Sequence, residues 1–351
     1  MNEIEQKLSF SSDYMEGAHP EIIKQLEKTN LLKTPGYGLD TFSSSAKSKI
    51  QKACNCPDAE IYFLVGGTQT NATVIDAILS SYQGVLAPES GHISVHEAGA
   101  IEFGGHKILT LPQKYGKITA SSIEDYMITF QNDDNREHMV MPGMVYISQP
   151  TEYGTLYSLQ ELTNISQICH HYSLRLYVDG ARLAYALACP ENTVTLPDLA
   201  ALCDVFYIGG TKCGALFGEA VIVPHKDSIP HFFTIIKQHG ALFAKGRILG
   251  LQFDTLFTDD LYLKIGESAI LNANLIKTAL IKNGFQLFFE SPTNQIFVVM
   301  DNQTKEKLEA EVIMGFWEKY DDEHTVMRFA TSWATNTIDV NNLLTILDSH
   351  S

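Results

Sequence analysis

Two apolar segments end abruptly in small residues around a charge. They are Tyr177-Val178-Asp179-Gly180-Ala181-Arg182 and, further on, Tyr207-Ile208-Gly209-Gly210-Thr211-Lys212. A carboxylate and a lysine delivered by two strand ends are what pyridoxal phosphate chemistry requires. The amine forms a Schiff base with the aldehyde, and the acid keeps the pyridine nitrogen protonated, so the ring acts as an electron sink. On these two segments alone, a strand-terminal Asp and an ordinary Gly-Gly-Thr-Lys turn stand as the alternative.

A third segment adds an anion site. Ile61-Tyr62-Phe63-Leu64-Val65 reads as a buried strand, followed by Gly66-Gly67-Thr68-Gln69-Thr70-Asn71 and a helical pattern from Ala72 to Ser80. A strand, a Gly/Thr turn and a helix N-terminus direct free backbone N–H groups and the helix dipole at a phosphate, and glycine permits close approach. The turn is not a Walker loop, because no Lys-Ser/Thr follows at the required spacing. In chain order the three segments supply a phosphate site, a pyridinium partner and a Schiff-base lysine.

The elements that must position these residues alternate. Helical patterns span Pro20–Thr29, His92–Glu102, Ser121–Gln131, the stretch opened by the capping box Ser158-Leu159-Gln160-Glu161 and running to His171, and Leu196–Leu202. Between them lie strand-like runs at Gly84–Pro88, Lys107–Leu111, Met144–Ser148, Leu174–Val178, Val205–Ile208 and Ala220–Val223. Such alternation predicts an α/β fold with a mostly parallel, doubly wound sheet, whose functional residues gather at strand carboxyl ends. A helical pattern from Leu249 to Lys282 leads to strand-like Phe285–Phe289, Gln295–Met300 and Val326–Ala330, with helices at Gln303–Val312 and Val340–Leu347. This predicts a large domain over 1–250 and a small α+β C-terminal domain over 251–351, with segment 1–30 a candidate for packing on the small domain.

Composition bounds the function. The chain has 351 residues, beyond the roughly 250 that a single core usually supports. Apolar residues make up 45% and charged residues 19%, an ordinary globular balance. A net charge of -16 argues against a nucleic-acid or anionic-membrane partner, both of which need clustered Lys and Arg. The six cysteines are scattered, and Cys54-x-Cys56 is too tight for zinc or redox spacing, so no metal site is expected and a reducing compartment is. The polar start Met-Asn-Glu-Ile-Glu-Gln-Lys is no signal peptide, and no apolar run of about 18 residues exists, so the expected location is cytoplasmic.

Taken in order, Ser11-Ser12-Asp13, Tyr37-Gly38-x-Asp40, Gly67-Thr68-Gln69-x-Asn71, His92 followed by Glu97-Ala98-Gly99, Asp179-Gly180-Ala181-Arg182 and Thr211-Lys212 resemble the threonine aldolases of the β-eliminating lyase group. These are pyridoxal phosphate enzymes with the aspartate-aminotransferase-like fold (fold type I), and the resemblance covers roughly residues 10–340. It implies Lys212 as the internal aldimine, Asp179 on the pyridinium nitrogen, Ala181 beneath the ring, Thr211 beside the cofactor, and Gly67, Thr68 and Gln69 on the phosphate. It implies His92 as the histidine stacked on the ring. Arg182, Arg328 and Ser12 become the cradle for the substrate carboxylate, a task suited to a planar guanidinium. Tyr37 would reach a neighbouring subunit's site.

Two stretches depart from the family pattern. Where many members place a second histidine in Thr-His-Asn-Gly, this chain has Thr151-Glu152-Tyr153-Gly154, making Glu152 the candidate base. Where an arginine often reaches a partner's phosphate, the chain has Lys245 or Arg247, of which Lys245 is the choice. The implied reaction is cleavage of L-threonine or L-allo-threonine to glycine and acetaldehyde, by retro-aldol scission through a quinonoid carbanion. The implied assembly is a homo-oligomer, dimer or tetramer, with shared sites. Another lyase of the same fold, acting on phenylserine or by β-elimination, is the alternative. A non-catalytic binding protein on this scaffold is the reading from a different class.

Overall fold

The structure is a computed structural model and describes residues 7–350; the first six residues of the polar N-terminal segment read above lie outside the described residues. Strand β1 (Leu8–Ser9) precedes the main sheet. That sheet is built from β2 (Glu60–Leu64), β3 (Gln83–Pro88), β4 (Ile108–Leu111), β5 (Met141–Ser148), β6 (Arg175–Asp179), β7 (Val205–Gly209) and β8 (Glu219–Val223), in the order β2-β8-β7-β6-β5-β3-β4. Strand β8 is antiparallel to β2 and β7, and every other pairing is parallel. The mostly parallel sheet expected from the sequence is present.

Alternation along the strands explains why helices cover both faces. Leu176, Val178, Phe206 and Ile208 pack into one core. Tyr177, Val205 and Tyr207 turn to the opposite core, which also holds Val74 and Ile75 of helix Gly67–Ile78. The reversed direction of β8 carries Glu219, at its start, to the edge where β6 and β7 end, in register with Gly209 and Leu64.

A second, antiparallel sheet is formed by β9 (Gln286–Leu287), β10 (Gln295–Asp301), β12 (Gly315–Lys319) and β13 (His324–Ala330), in the order β12-β13-β10-β9. The short β11 (Val312–Ile313) pairs instead with β1, parallel, Leu8 opposite Val312. Beyond it, the Phe10 N–H donates to the Ile313 carbonyl at 2.9 Å and the Phe10 carbonyl accepts from the Ala330 N–H at 2.7 Å. Residues 8–10 are thus stitched to the second sheet.

Several elements differ from the periodicity reading. The phosphate-side helix begins at Gly67, five residues before Ala72, because its first turn is made of the Gly/Thr/Gln residues read as a loop. The pattern from His92 to Glu102 splits into His92–Val95 and Ala100–Phe103, since Ala98 (φ 51°) and Gly99 (φ 73°) are left-handed and cannot continue a helix. Left-handed Asp259 and Asp260 likewise end the first helix of the 249–282 pattern, Arg247–Leu256; a second interruption at Ile265–Gly266 separates Leu261–Lys264 from Glu267–Lys282. The helix expected to reach Val312 ends at Glu309, and Val312 enters β11. Among the described residues, no helix is long and apolar enough to cross a membrane.

Candidate active site

The carboxyl ends of β2, β5, β6 and β7 open onto one cavity of about 290 Å³. It brings together Gly67, Thr68, His92, Glu152, Asp179, Ala181, Arg182, Thr211 and Lys212, all named from the sequence. A wider cleft of about 700 Å³ shares His92, Glu152, Arg182 and Lys212 and adds Arg328. Asp179 and Lys212 therefore face one space, as a single heterocycle requires.

Asp179 closes β6 opposite Ser148 of β5. Its Oδ2 accepts from the Tyr146 hydroxyl at 2.6 Å and the Asn71 amide at 3.2 Å, and its Oδ1 from the Tyr207 hydroxyl at 2.5 Å and the Ala181 N–H at 2.9 Å. Four converging donors suit an acceptor-only group. Burial and the neighbouring carboxylate push both phenols well above their ordinary values, so both remain donors. Sequence reasoning gave Tyr146 and Tyr207 no role. The available signal was strand parity, since Tyr177 and Asp179 share a face and Tyr146 stands opposite Tyr177.

The turn carrying Lys212 is braced from β8. Glu219 accepts from the Gly210 N–H at 3.0 Å and the Thr211 hydroxyl at 2.7 Å, and that hydroxyl accepts from the Gly218 N–H at 3.0 Å. The Thr211 side chain is thus engaged with Glu219. Burial pushes the Glu219 carboxyl up to about 8. Burial and the Arg182 guanidinium push the Lys212 amine down, toward its neutral, nucleophilic form.

Glu152 is buried; its Oε1 accepts from the Ser148 hydroxyl at 2.8 Å and the His92 backbone N–H at 2.9 Å, while Oε2 has no partner among the described residues. Burial raises this carboxyl, against the opposing pull of a hydrogen bond from its own backbone and of the Ser148 hydroxyl. The His92 imidazole is pinned through Nδ1 to Glu97 Oε1 at 2.7 Å.

Neither arginine offers an untouched fork. Arg182 spends Nε and Nη2 on Asp13, at 2.6 and 3.1 Å. Arg328 donates through Nη1 to Gln295 at 3.1 Å and through Nη2 to the Ser11 carbonyl at 2.7 Å, and its buried Nε has no partner among the described residues. The Ser12 hydroxyl is buried and has no partner among the described residues. Asp13, part of a quoted motif but given no role, is what holds Arg182.

Other expected residues lie elsewhere in the single chain. Tyr37 is exposed, with Lys237 Nζ 4.7 Å from its ring centroid, and lines a separate depression. Lys245 is exposed and borders neither site cavity. Arg247 is tied to the Thr29 and Asn30 carbonyls.

Residues 10–305 match the profile of the beta-eliminating lyases. The chain belongs to the beta-eliminating lyase family. This lyase is 32% identical over 307 residues to the low specificity L-threonine aldolase of a Pseudomonas species, covering 87% of each chain. It is 30% identical over 338 residues to that of Pseudomonas aeruginosa, covering 95% of each. The solved structure of Leishmania major threonine aldolase superposes with a TM-score of 0.94 at 40% identity, over 97% of this chain and 98% of that one. Thermus thermophilus aspartate aminotransferase, at 14% identity and a TM-score of 0.71 over 98% and 92%, shares the fold, which is fold type I.

The lyase is pyridoxal phosphate-dependent, and its residues fit that group. Helix Gly67–Ile78 starts with no side-chain cap, leaving first-turn N–H groups open. Beside them, Gln69 Oε1 and Thr70 Oγ1 are buried and have no partners among the described residues. A Cβ at Gly67 would come within 3.3 Å of the Tyr207 hydroxyl, so a side chain there would narrow the cradle.

Proposed function

We propose that this lyase cleaves a β-hydroxy-α-amino acid, L-threonine or L-allo-threonine, to glycine and acetaldehyde. The supporting observation is that an amine (Lys212), a buried acid (Asp179), a carboxylate oxygen without a partner among the described residues (Glu152) and a guanidinium (Arg182) line one cavity. The threonine aldolase relatives support the same substrate class.

Pyridoxal phosphate, when bound, supplies an aldehyde for amines and a ring that takes up the electron pair of a bond broken at the substrate Cα. Lys212 holds it by the aldehyde end, Asp179 by the ring nitrogen, and Gly67, Thr68 and Gln69 by the phosphate. Thr211 acts as a brace for Lys212, and Ala181 leaves room beneath the ring. His92, which lines both the inner cavity and the wider cleft, would lie against the ring. Arg182 and Arg328, with Ser12, would hold the substrate carboxylate and so fix the orientation of the bonds at Cα. Glu152 takes the proton from the β-hydroxyl.

Tyr37 and Lys245 act in the site of a neighbouring copy, which makes the working unit a homo-oligomer. The cytoplasm is its compartment, and residues 1–250 and 251–351 are its two domains.

The wider cleft, walled by Tyr153, Phe316 and Trp317, favours a second reading with a larger β-substituent, as in phenylserine. Purified holoenzyme offered L-threonine, L-allo-threonine, phenylserine and serine tests both. Aldehyde from the first two carries the proposal, aldehyde from phenylserine alone carries the second reading, and none from any substrate rejects both.

A further inference from the structure

A directed hydrogen-bond chain ends on His92. It begins at Tyr177, whose hydroxyl lies 2.7 Å from Asn71 Oδ1. An amide oxygen cannot donate, so the phenol does. This fixes which way the Asn71 amide faces. Its Nδ2 points at Glu97 Oε1 (2.7 Å) and Asp179 Oδ2 (3.2 Å), and a flipped amide would set its oxygen against two carboxylates. Glu97 Oε1 is therefore an acceptor. It is also the atom 2.7 Å from His92 Nδ1, so Nδ1 must be the donor. Glu97 is buried, its Oε2 has no partner, and His92 Nδ1 and Asn71 Nδ2 are the only donors its side chain meets among the described residues.

We propose that Glu97 is a positioning residue, fixing His92 as the Nδ1–H tautomer so that Nε2 presents its lone pair to the cavity. The ring borders both the inner cavity and the outer cleft, and Nε2 has no hydrogen-bond partner among the described residues. On the proposed function, which this inference deepens, that lone pair is a second acceptor for the β-hydroxyl beside Glu152. Asn71 gives the arrangement a further consequence. Through it, the acid that orients the imidazole and the acid that faces the pyridine nitrogen share one amide.

The test is a two-bond ¹H–¹⁵N correlation spectrum of holoenzyme labelled with ¹⁵N-histidine, taken at about pH 8, above the ordinary histidine range. His92 is identified by the signal lost in His92→Asn. The expected wild-type pattern is a protonated Nδ1 and an unprotonated Nε2. In Glu97→Gln, whose amide can donate as well as accept, His92 shifts toward the Nε2–H form. Turnover falls on the order of a hundredfold with KM little changed, and Glu97→Asp recovers part of it. A wild-type His92 with its proton on Nε2, or an unaltered tautomer in cofactor-loaded Glu97→Gln, overturns the proposal. The wild-type spectrum decides alone if the variant does not fold. An enzyme with no activity on β-hydroxy amino acids rejects the proposed function and leaves the tautomer result to be judged independently.

Discussion

Asp13 grips the Nε–Nη2 edge of Arg182, at 2.6 and 3.1 Å, across 169 residues of sequence. Burial pushes the Asp13 carboxyl up, but the Arg182 and Lys212 charges and the hydrogen bonds from Arg182 and Asn294 outweigh it and hold the group at about 2, from 3.8. A depressed carboxyl adds stability that is present above the unfolded value and lost as pH falls toward the folded one. The window is therefore about pH 4 down to about 2, and the contribution about 2 kcal/mol. Asp13→Asn removes that acid-labile component and strands a buried guanidinium, at a cost of about 3–5 kcal/mol. Urea denaturation of both proteins at several pH values measures it, and equal stability at neutral pH would refute it.

Glu152 must be ionised to accept a proton, and burial raises its carboxyl. The acid limb of kcat/KM is expected above the ordinary carboxylate range. Glu152→Gln should lose that limb and about 10²–10⁴ in rate. A pH–rate profile with the limb intact in the variant would remove Glu152 from the proton path.

Glu219 gives the opposite pH sign to Asp13. Its folded value near 8 exceeds 4.5, so the folded state holds a proton that the unfolded state releases, and stability declines as pH rises from about 4.5 to about 8. Glu219→Gln keeps the shape and removes the titration. Thermal midpoints across this range should slope downward in the wild type and flatten in the variant.

Lys212 trades stability for chemistry. Its amine is pushed below 10.5 by burial and by Arg182. The unfolded chain therefore binds the proton more readily, and apoprotein stability rises with pH toward 10.5. Lys212→Met should raise the apoprotein's melting temperature at neutral pH while lowering turnover on the order of a thousandfold or more. It should also abolish the visible absorbance of lysine-bound cofactor, and a variant that kept this band would remove Lys212 from its proposed role.

What was legible in the sequence was local. Helices Pro20–Thr29 and Leu196–Leu202 have the bounds their patterns predict, and Ser158 and Glu161 form the expected capping box. Asp179, Lys212 and Gly67 were visible because strand ends leave a chemical punctuation of glycine and charge. The grip of Asp13 on Arg182 and the contact of Arg328 with the Ser11 carbonyl were not, since no periodicity links residues 169 and 317 apart. Glu219 was missed for a related reason. An acid at the mouth of an apolar strand looks like a solvated end until the antiparallel direction of β8 turns it inward. Helix Thr41–Ala53, with four serines among its residues and little apolar stripe, and strand β12, half-buried with no fully buried residue, gave periodicity too little to register.

The seam between β1 and β11 sets a timetable for biosynthesis. On the ribosome, residues 8–10 emerge well before their partners at Val312, Ile313 and Ala330. The strand ends bearing Asp179 and Lys212 can be translated and paired while Asp13 still lacks Asn294. The grip of Asp13 on Arg182 therefore gains its second support, the Asn294 amide, only after the second sheet has been translated and paired.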